Sequence, residues 1–208
     1  MLSSLATLKL DHPEHFTFSK NTVFLGKGLF AENPAHIVVQ RTIFGSNVQI
    51  LNEDGPVTTN NSVIIGDNVK LKPCIIKKEP TFVFEMVIKG PVVIGNSCLI
   101  RARKIGPNVF IGDNVVIGEG NVINSNTIIL DDSVIAPNTT LPSNCIVGGN
   151  PAKFVEFLSE QAQNSLGAEL EGKFQEFERE ITNHIQKKMK EKEASTATAA
   201  PPKAQTDA

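Results

Sequence analysis

The chain has no tyrosine and no tryptophan, few cysteines and histidines, and almost no net charge. Each scarcity narrows its chemistry. Without Tyr and Trp, aromatic platforms for bases or sugars would have to be built from the 12 phenylalanines alone. A net charge of −2 gives no bulk attraction to nucleic acid or to an anionic membrane. No apolar run reaches the length that spans a bilayer, so direct membrane insertion is not expected. The three cysteines, Cys74, Cys98 and Cys145, form no CxxC pair and read as reduced thiols. The four histidines are His12, His15, His36 and His184, and none falls between Ile37 and Asn183. A zinc site needs about three such ligands, and general-base catalysis most often uses a histidine. No metal, cofactor or catalytic residue is therefore expected. The opening stretch MLSSLATLKLDHPEH is too weakly apolar for a secretory signal. It lacks Arg and carries Asp11 and Glu14, which argues against a mitochondrial presequence.

What the chain does have is a period of six. Ile105, Ile111, Ile117, Ile123, Ile129, Ile135, Leu141 and Val147 recur at every sixth position. Smaller side chains follow four residues later: Val109, Val115, Asn121, Thr127, Ser133, Thr139 and Cys145. A helix needs apolar spacing of three and four, and sandwich strands would not hold one phase for so long. Hexads instead build a parallel β-helix, in which three of them make one triangular coil of about 18 residues. Coils then stack about 4.8 Å apart with the aliphatics in internal ladders. Glycines after the aliphatics suit the tight bends. Asp67, Asp113, Asp131 and Asp132 fall at turn positions, where Asp satisfies bends.

The phase continues upstream through Ile65 and Leu71, and through Ile94 and Ile100, with a weaker set at Val38, Phe44 and Ile50. Two insertions interrupt it, near residues 52–60 and 77–91. The expected organisation is an N-terminal extension over 1–20 and a β-helix of about six coils over 21–151. An amphipathic helix over 152–192 follows, capped by Asn150 and Pro151 and interrupted near Gly167 or Gly172. A disordered tail closes the chain over 193–208.

The isoleucine–glycine hexads, with Ala136-Pro137, Pro142 and the closing Val147-Gly148-Gly149-Asn150-Pro151-Ala152-Lys153, resemble the hexapeptide-repeat left-handed β-helix proteins. The resemblance implies an all-β, single-stranded left-handed parallel β-helix with a C-terminal α-helix. That family includes acyltransferases, γ-class carbonic anhydrases and non-catalytic scaffold subunits. The histidine inventory disfavours the catalytic branches. The long insertion after Lys72-Pro73-Cys74 and the shortened coil Arg103-Lys104-Ile105-Gly106 are similar to those of the β-helix subunits at the pointed end of dynactin. That likeness implies a cytoplasmic, cytoskeletal scaffold without enzymatic activity. Its partners would be a sister β-helix subunit, an actin-related protein and other dynactin subunits, and it would help dynein–dynactin engage cargo adaptors. The alternative is a histidine-less anhydrase-like structural subunit of mitochondrial respiratory complex I.

Three sets of residues are candidate interface positions. Phe110, Ile128 and Ile146 precede ladder positions one coil apart, so they should form an external apolar stripe beneath the C-terminal helix or a partner. Lys72 and Arg101 occupy equivalent hexad positions on either side of the long insertion, with Lys70, Arg103 and Lys104 close by. They form either a solvated face or a docking patch for an acidic partner segment. Phe82 and Phe84 lie in the insertion, where a loop on a rigid scaffold carries recognition.

Overall fold

The computed structural model describes residues 17–18, 23–24, 29–52, 55–73, 76–78, 81–83 and 85–197. Short parallel strands follow one another around a triangle and stack into three faces, giving about six coils. Face A runs from Thr17–Phe18 through Ile37–Val39, Val57–Asn60, Met86–Lys89, Lys104–Ile105 and Val122–Ile123 to Thr140–Leu141. Face B runs from Val23–Phe24 through Thr42–Phe44, Val63–Ile65, Val92–Ile94, Val109–Ile111 and Thr127–Ile129 to Cys145–Gly148. Face C runs from Phe30–Ala31 through Gln49–Ile50, Lys70–Leu71, Leu99–Ile100 and Val116–Ile117 to Val134–Ile135.

The ladders follow from the period. On face B, Phe44, Ile65, Ile94, Ile111, Ile129 and Val147 stand one above another. Leu71, Ile100, Ile117 and Ile135 do so on face C, and Ile88, Ile105, Ile123 and Leu141 on face A. All are buried in one core.

The corners use two devices. Glycine supplies a missing Cβ: one built at Gly95 would stand 2.7 Å from the Gly112 backbone of the next coil. The left-handed φ falls two residues after the glycine, on Asn47, Asn68, Ser97 and Asn114, with values of 56–58°, and on the equivalent Asp132. Asp and Asn side chains then bind the coil below. Asp67 Oδ1 accepts the Ser46 N–H at 2.6 Å, Asn96 Oδ1 the Asp67 N–H at 2.9 Å, and Asp131 Oδ1 the Asp113 N–H at 2.8 Å. At another corner Asn108 donates to Asn126 at 2.9 Å, and Asn126 to Asn144 at 2.8 Å. Asp67, Asp113 and Asp131 are turn residues fixed to a neighbouring backbone, and Asp132 accepts from the Asn114 side chain.

Several boundaries differ from the sequence expectation. Thr17–Phe18 pairs with Val38–Val39, so the coil already includes part of the expected N-terminal extension. Val57–Asn60 is a full face A strand rather than an insertion, because Val57 and Thr59 point inward although the stretch reads as polar. Val39, not Val38, lies in the ladder. The tight corner at Arg41, with φ 47°, removes one residue from that hexad. Met86–Lys89 rejoins face A, so the second excursion is shorter than expected.

The helix also starts later. Lys153–Phe157 forms an antiparallel strand on Cys145–Gly148, since Phe, Val and Phe favour pairing on a pleated edge over a first helical turn. The helix spans Glu160–Ala197, is capped by Ser159 Oγ accepting the Ala162 N–H at 3.2 Å, and passes unbroken through Gly167 and Gly172. It includes 193–197 of the expected tail; 198–208 lie outside the described residues. The coil and the helix up to Phe174 form one compact unit, and Gln175 onward belongs to a second.

Candidate functional site

The apolar stripe is real and is covered by the chain itself. The outward column of face B reads Ile43, Ile64, Val93, Phe110, Ile128 and Ile146. Leu158, Ala162, Leu166 and Leu170 pack against its upper part. The fit is metric: from Glu160 to Phe174 the helix rises about 21 Å, and six stacked strands span about 24 Å. Lys173 Nζ sits 5.2 Å over the Phe110 ring, and the Arg41 guanidinium 4.7 Å over Phe174. Arg41 Nη1 also lies 2.8 Å from Glu171 Oε1 and 2.6 Å from Ser62 Oγ. Phe110, Ile128 and Ile146 thus pack against the chain's own helix.

The second and third candidate sets converge on one corner, between faces C and A. Leu71 pairs with Ile100, which places Lys72 beside Arg101 in the next coil. The excursion leaves the coil there and forms a hairpin, Ile76–Lys78 with Thr81–Val83, in which Lys77 stands opposite Phe82. Phe84 lies outside the described residues. The chain returns at Met86 on face A, one coil from the exposed Arg103 and Lys104. Arg101 is not free to dock an acidic partner, because its guanidinium is paired with Glu119. Lys70, Arg103 and Lys104 are exposed and Lys72 half-buried. The corner therefore brings Lys70, Lys72, Arg103 and Lys104 close to the point where the hairpin leaves the coil.

His36 closes a short turn, its Nδ1 3.2 Å from Asn33 Nδ2, and no three His, Cys, Asp or Glu side chains gather to hold a metal among the described residues. Burial pushes the Cys98 thiol up to about 11 and raises Cys145 as well. Both are core thiols, with Cys98 Sγ donating to the Gly112 carbonyl at 3.1 Å. No described helix is long and apolar enough to cross a membrane.

With a hexad β-helix, a short excursion hairpin at the C–A corner and a closing helix on face B, comparison with known families is decisive. Residues 16–180 match dynactin subunit 5. The chain belongs to the dynactin subunit 5 family. Membership fixes the left-handed hexapeptide-repeat β-helix and links the chain to dynactin and to cytoskeletal transport. It does not favour the mitochondrial alternative. By sequence, no curated protein matches the chain. Among solved structures it is similar to a hexapeptide transferase family protein from Anaplasma phagocytophilum. That pair shares 17% identity and a TM-score of 0.61, over 78% of this chain and 90% of that one. It is also similar to the acetyltransferase domain of PglB from Neisseria gonorrhoeae, at 16% identity and a TM-score of 0.50. There the coverage is 64% of this chain and 58% of that one. At such identities the likeness concerns the coil alone.

Sequence reasoning missed two features of this family member. The Arg41 contacts to the helix join residues far apart in the chain, and no local pattern announces them. The strand Lys153–Phe157 exposes Phe154, Val155 and Phe157. Its residues do not alternate, and a helical spacing of four from Phe154 masked it.

Proposed function

We propose that the chain is a non-catalytic subunit of the dynactin pointed-end complex. In this reading it pairs with a sister β-helix subunit of the dynactin subunit 6 type, contacts the actin-related protein of the pointed end, and helps dynein–dynactin engage cargo adaptors. Its place is cytoplasmic and cytoskeletal. The family match over residues 16–180 carries the reading. The geometry supports it: the coil interior is filled by ladders, its thiols are held protonated by burial, and the basic side chains and hairpin that stand clear of the core share one corner. A rigid prism with recognition elements on its edges is suited to assembly.

The test is affinity purification of the tagged full chain from its native cells. An actin-related protein and a second hexapeptide-repeat protein should co-purify in near-stoichiometric amounts. Recovery of respiratory-chain subunits instead would reject the reading. A homotrimer that binds acyl-coenzyme A would place the chain with the transferases.

A further inference from the structure

A solenoid needs a polar cap at each end to remain soluble, and the C-terminal end of this coil has only half of one. Face A ends on Thr140–Leu141 and face C on Val134–Ile135, each without a further strand. Face B continues one strand further, onto Lys153–Phe157. In that pairing Val147 stands opposite Phe154 and Cys145 opposite Phe157. Val147 and Cys145 are inward, buried positions. The two phenylalanines therefore prolong the internal columns of face B by one layer, past the last coil. They are not covered: Phe154 is 52% exposed and Phe157 67%, with ring centroids 4.7 Å apart. Val155, at the bulge in this pairing, is 52% exposed as well.

Beneath this layer the end of the coil has an open pocket. A cavity of about 270 Å³ opens among Ile135, Leu141, Pro142, Val147, Pro151 and Phe154. An apolar cavity of about 150 Å³ accommodates benzene, so this one has room for a Leu, Met or Phe side chain. The far side of Lys153–Phe157 faces no strand among the described residues, which leaves an edge of sheet B open. A bare apolar edge is a template for strand addition. The strand is also charge-marked, with Lys153 at its start and Glu156 near its end.

We propose that this end of the coil is a strand-addition site for an extended segment of a partner protein. The segment pairs its backbone with Lys153–Phe157 and seats one bulky apolar side chain in the cavity. Apolar residues at alternate positions cover Phe154 and Phe157. An acidic residue meets Lys153 and a basic one Glu156. Backbone pairing provides affinity, and the cavity and the two charges provide selectivity. The site lies apart from the C–A corner and does not depend on the pointed-end reading.

The probe is an acetylated eight-residue peptide, Thr-Glu-Leu-Thr-Val-Lys-Val-Thr, titrated into the isotopically labelled full chain and followed by amide NMR. Saturable shifts confined to residues 153–157 and their neighbours are expected, with a dissociation constant on the order of 100 μM. Phe157→Asp, a change at an exposed position, should weaken binding at least about tenfold. The same peptide N-methylated on alternate amides needs no protein variant and should lose a similar factor, because it cannot pair. Absence of saturable binding up to about 2 mM would overturn the proposal. So would binding that N-methylation leaves intact. A dimer in sedimentation that Phe157→Asp dissolves would give the edge to a second copy of this chain, and would equally overturn it.

Discussion

Arg41 Nη1 lies 2.8 Å from Glu171 Oε1, although the two residues stand 130 positions apart. The same guanidinium bonds Ser62 Oγ and covers Phe174. One side chain at a coil corner therefore holds the last helical turn of the first unit against face B. The contact is two-thirds buried, since the two side chains are 32% and 30% exposed. It is worth more than a fully exposed ion pair.

Arg41→Ala should lower stability by about 1–2 kcal/mol, combining the lost ion pair with the lost cation–π contact. Arg41→Lys should recover only part, because an ammonium cannot both pair with Glu171 and lie flat on Phe174. The measurement is a urea-denaturation cycle with Glu171→Ala. A coupling of about 0.5 kcal/mol or more is expected. Strict additivity would show that the two charges do not interact in solution.

The two helical glycines should respond in opposite ways. A Cβ at Gly172 meets nothing within 4 Å, so Gly172→Ala should stabilise by about 0.5–1 kcal/mol through helix propensity. A Cβ at Gly167 would stand 2.7 Å from Asn108 Oδ1, and Asn108 is held by its bond to Asn126. Gly167→Ala should therefore bring no gain and cost up to about 1 kcal/mol. Thermal unfolding of both variants decides it. Equal stabilisation would mean that the helix can lift from the Asn108 corner without loss.

These glycines also mark how far the sequence could be read. Both looked like helix interruptions, because a glycine inside a helical pattern signals either a break or a close approach, and spacing cannot tell which. The ladders from Ile105 to Val147 were legible because every sixth residue does the same job in every coil. Val57–Asn60 was not, because Thr59 fills an inward place normally taken by an aliphatic and bonds Thr42 Oγ1 at 2.6 Å. Phe110, Ile128 and Ile146 were legible as a stripe, but that the chain's own helix covers them depends on long-range packing. The approach of Lys72 to Arg101 followed from stacking register, whereas the pairing of Arg101 with Glu119 did not.

Ile128→Asp tests the covered stripe. The carboxylate would face Leu158, Leu166 and Leu170, an apolar cluster. A cost of about 2–3 kcal/mol is expected. The helix should detach before the coil unfolds, so limited proteolysis should cut within 160–174 while the core resists. A variant as stable and as resistant as the parent chain would make face B an ordinary exposed surface.

Cys98 predicts a pH dependence with a definite sign. Its thiol is raised from 9.0 to about 11, first by burial and then by the nearby Asp113 and Asp131. In the unfolded chain the thiol ionises near its ordinary value, while the folded chain keeps it protonated. Between about pH 9 and 11 the folded state binds more protons, so stability falls as pH rises through that window and is unaffected below it. The limit is about 2–3 kcal/mol. Cys98→Ala should remove that part of the slope, although it lowers stability at all pH values by truncating a buried side chain. An unchanged slope would locate the alkaline loss elsewhere. Peptide mapping after iodoacetamide treatment of the native protein should find Cys98 unmodified.

The C–A corner gives the last prediction, and it separates folding from assembly. Leu71 is already in register with Ile100, and Met86 with Val57, so the coil is continuous on both sides of the hairpin. Replacing residues 76–83 with a short Gly/Ser linker removes no ladder residue. The isolated chain should keep its unfolding temperature to within about 2 °C, since loop length alone has a small effect on stability. Recovery in the native complex should fall severalfold. Lys70→Glu with Lys72→Glu should weaken assembly in the same direction, more strongly at low salt, as electrostatic docking of an acidic partner segment requires. Arg101 is the wrong residue to reverse, since Arg101→Glu would also set two carboxylates against each other at Glu119. If the linker variant fails to fold, the hairpin belongs to the core. If it folds and assembles fully, and the lysine reversals assemble fully as well, the corner is not where the partner binds.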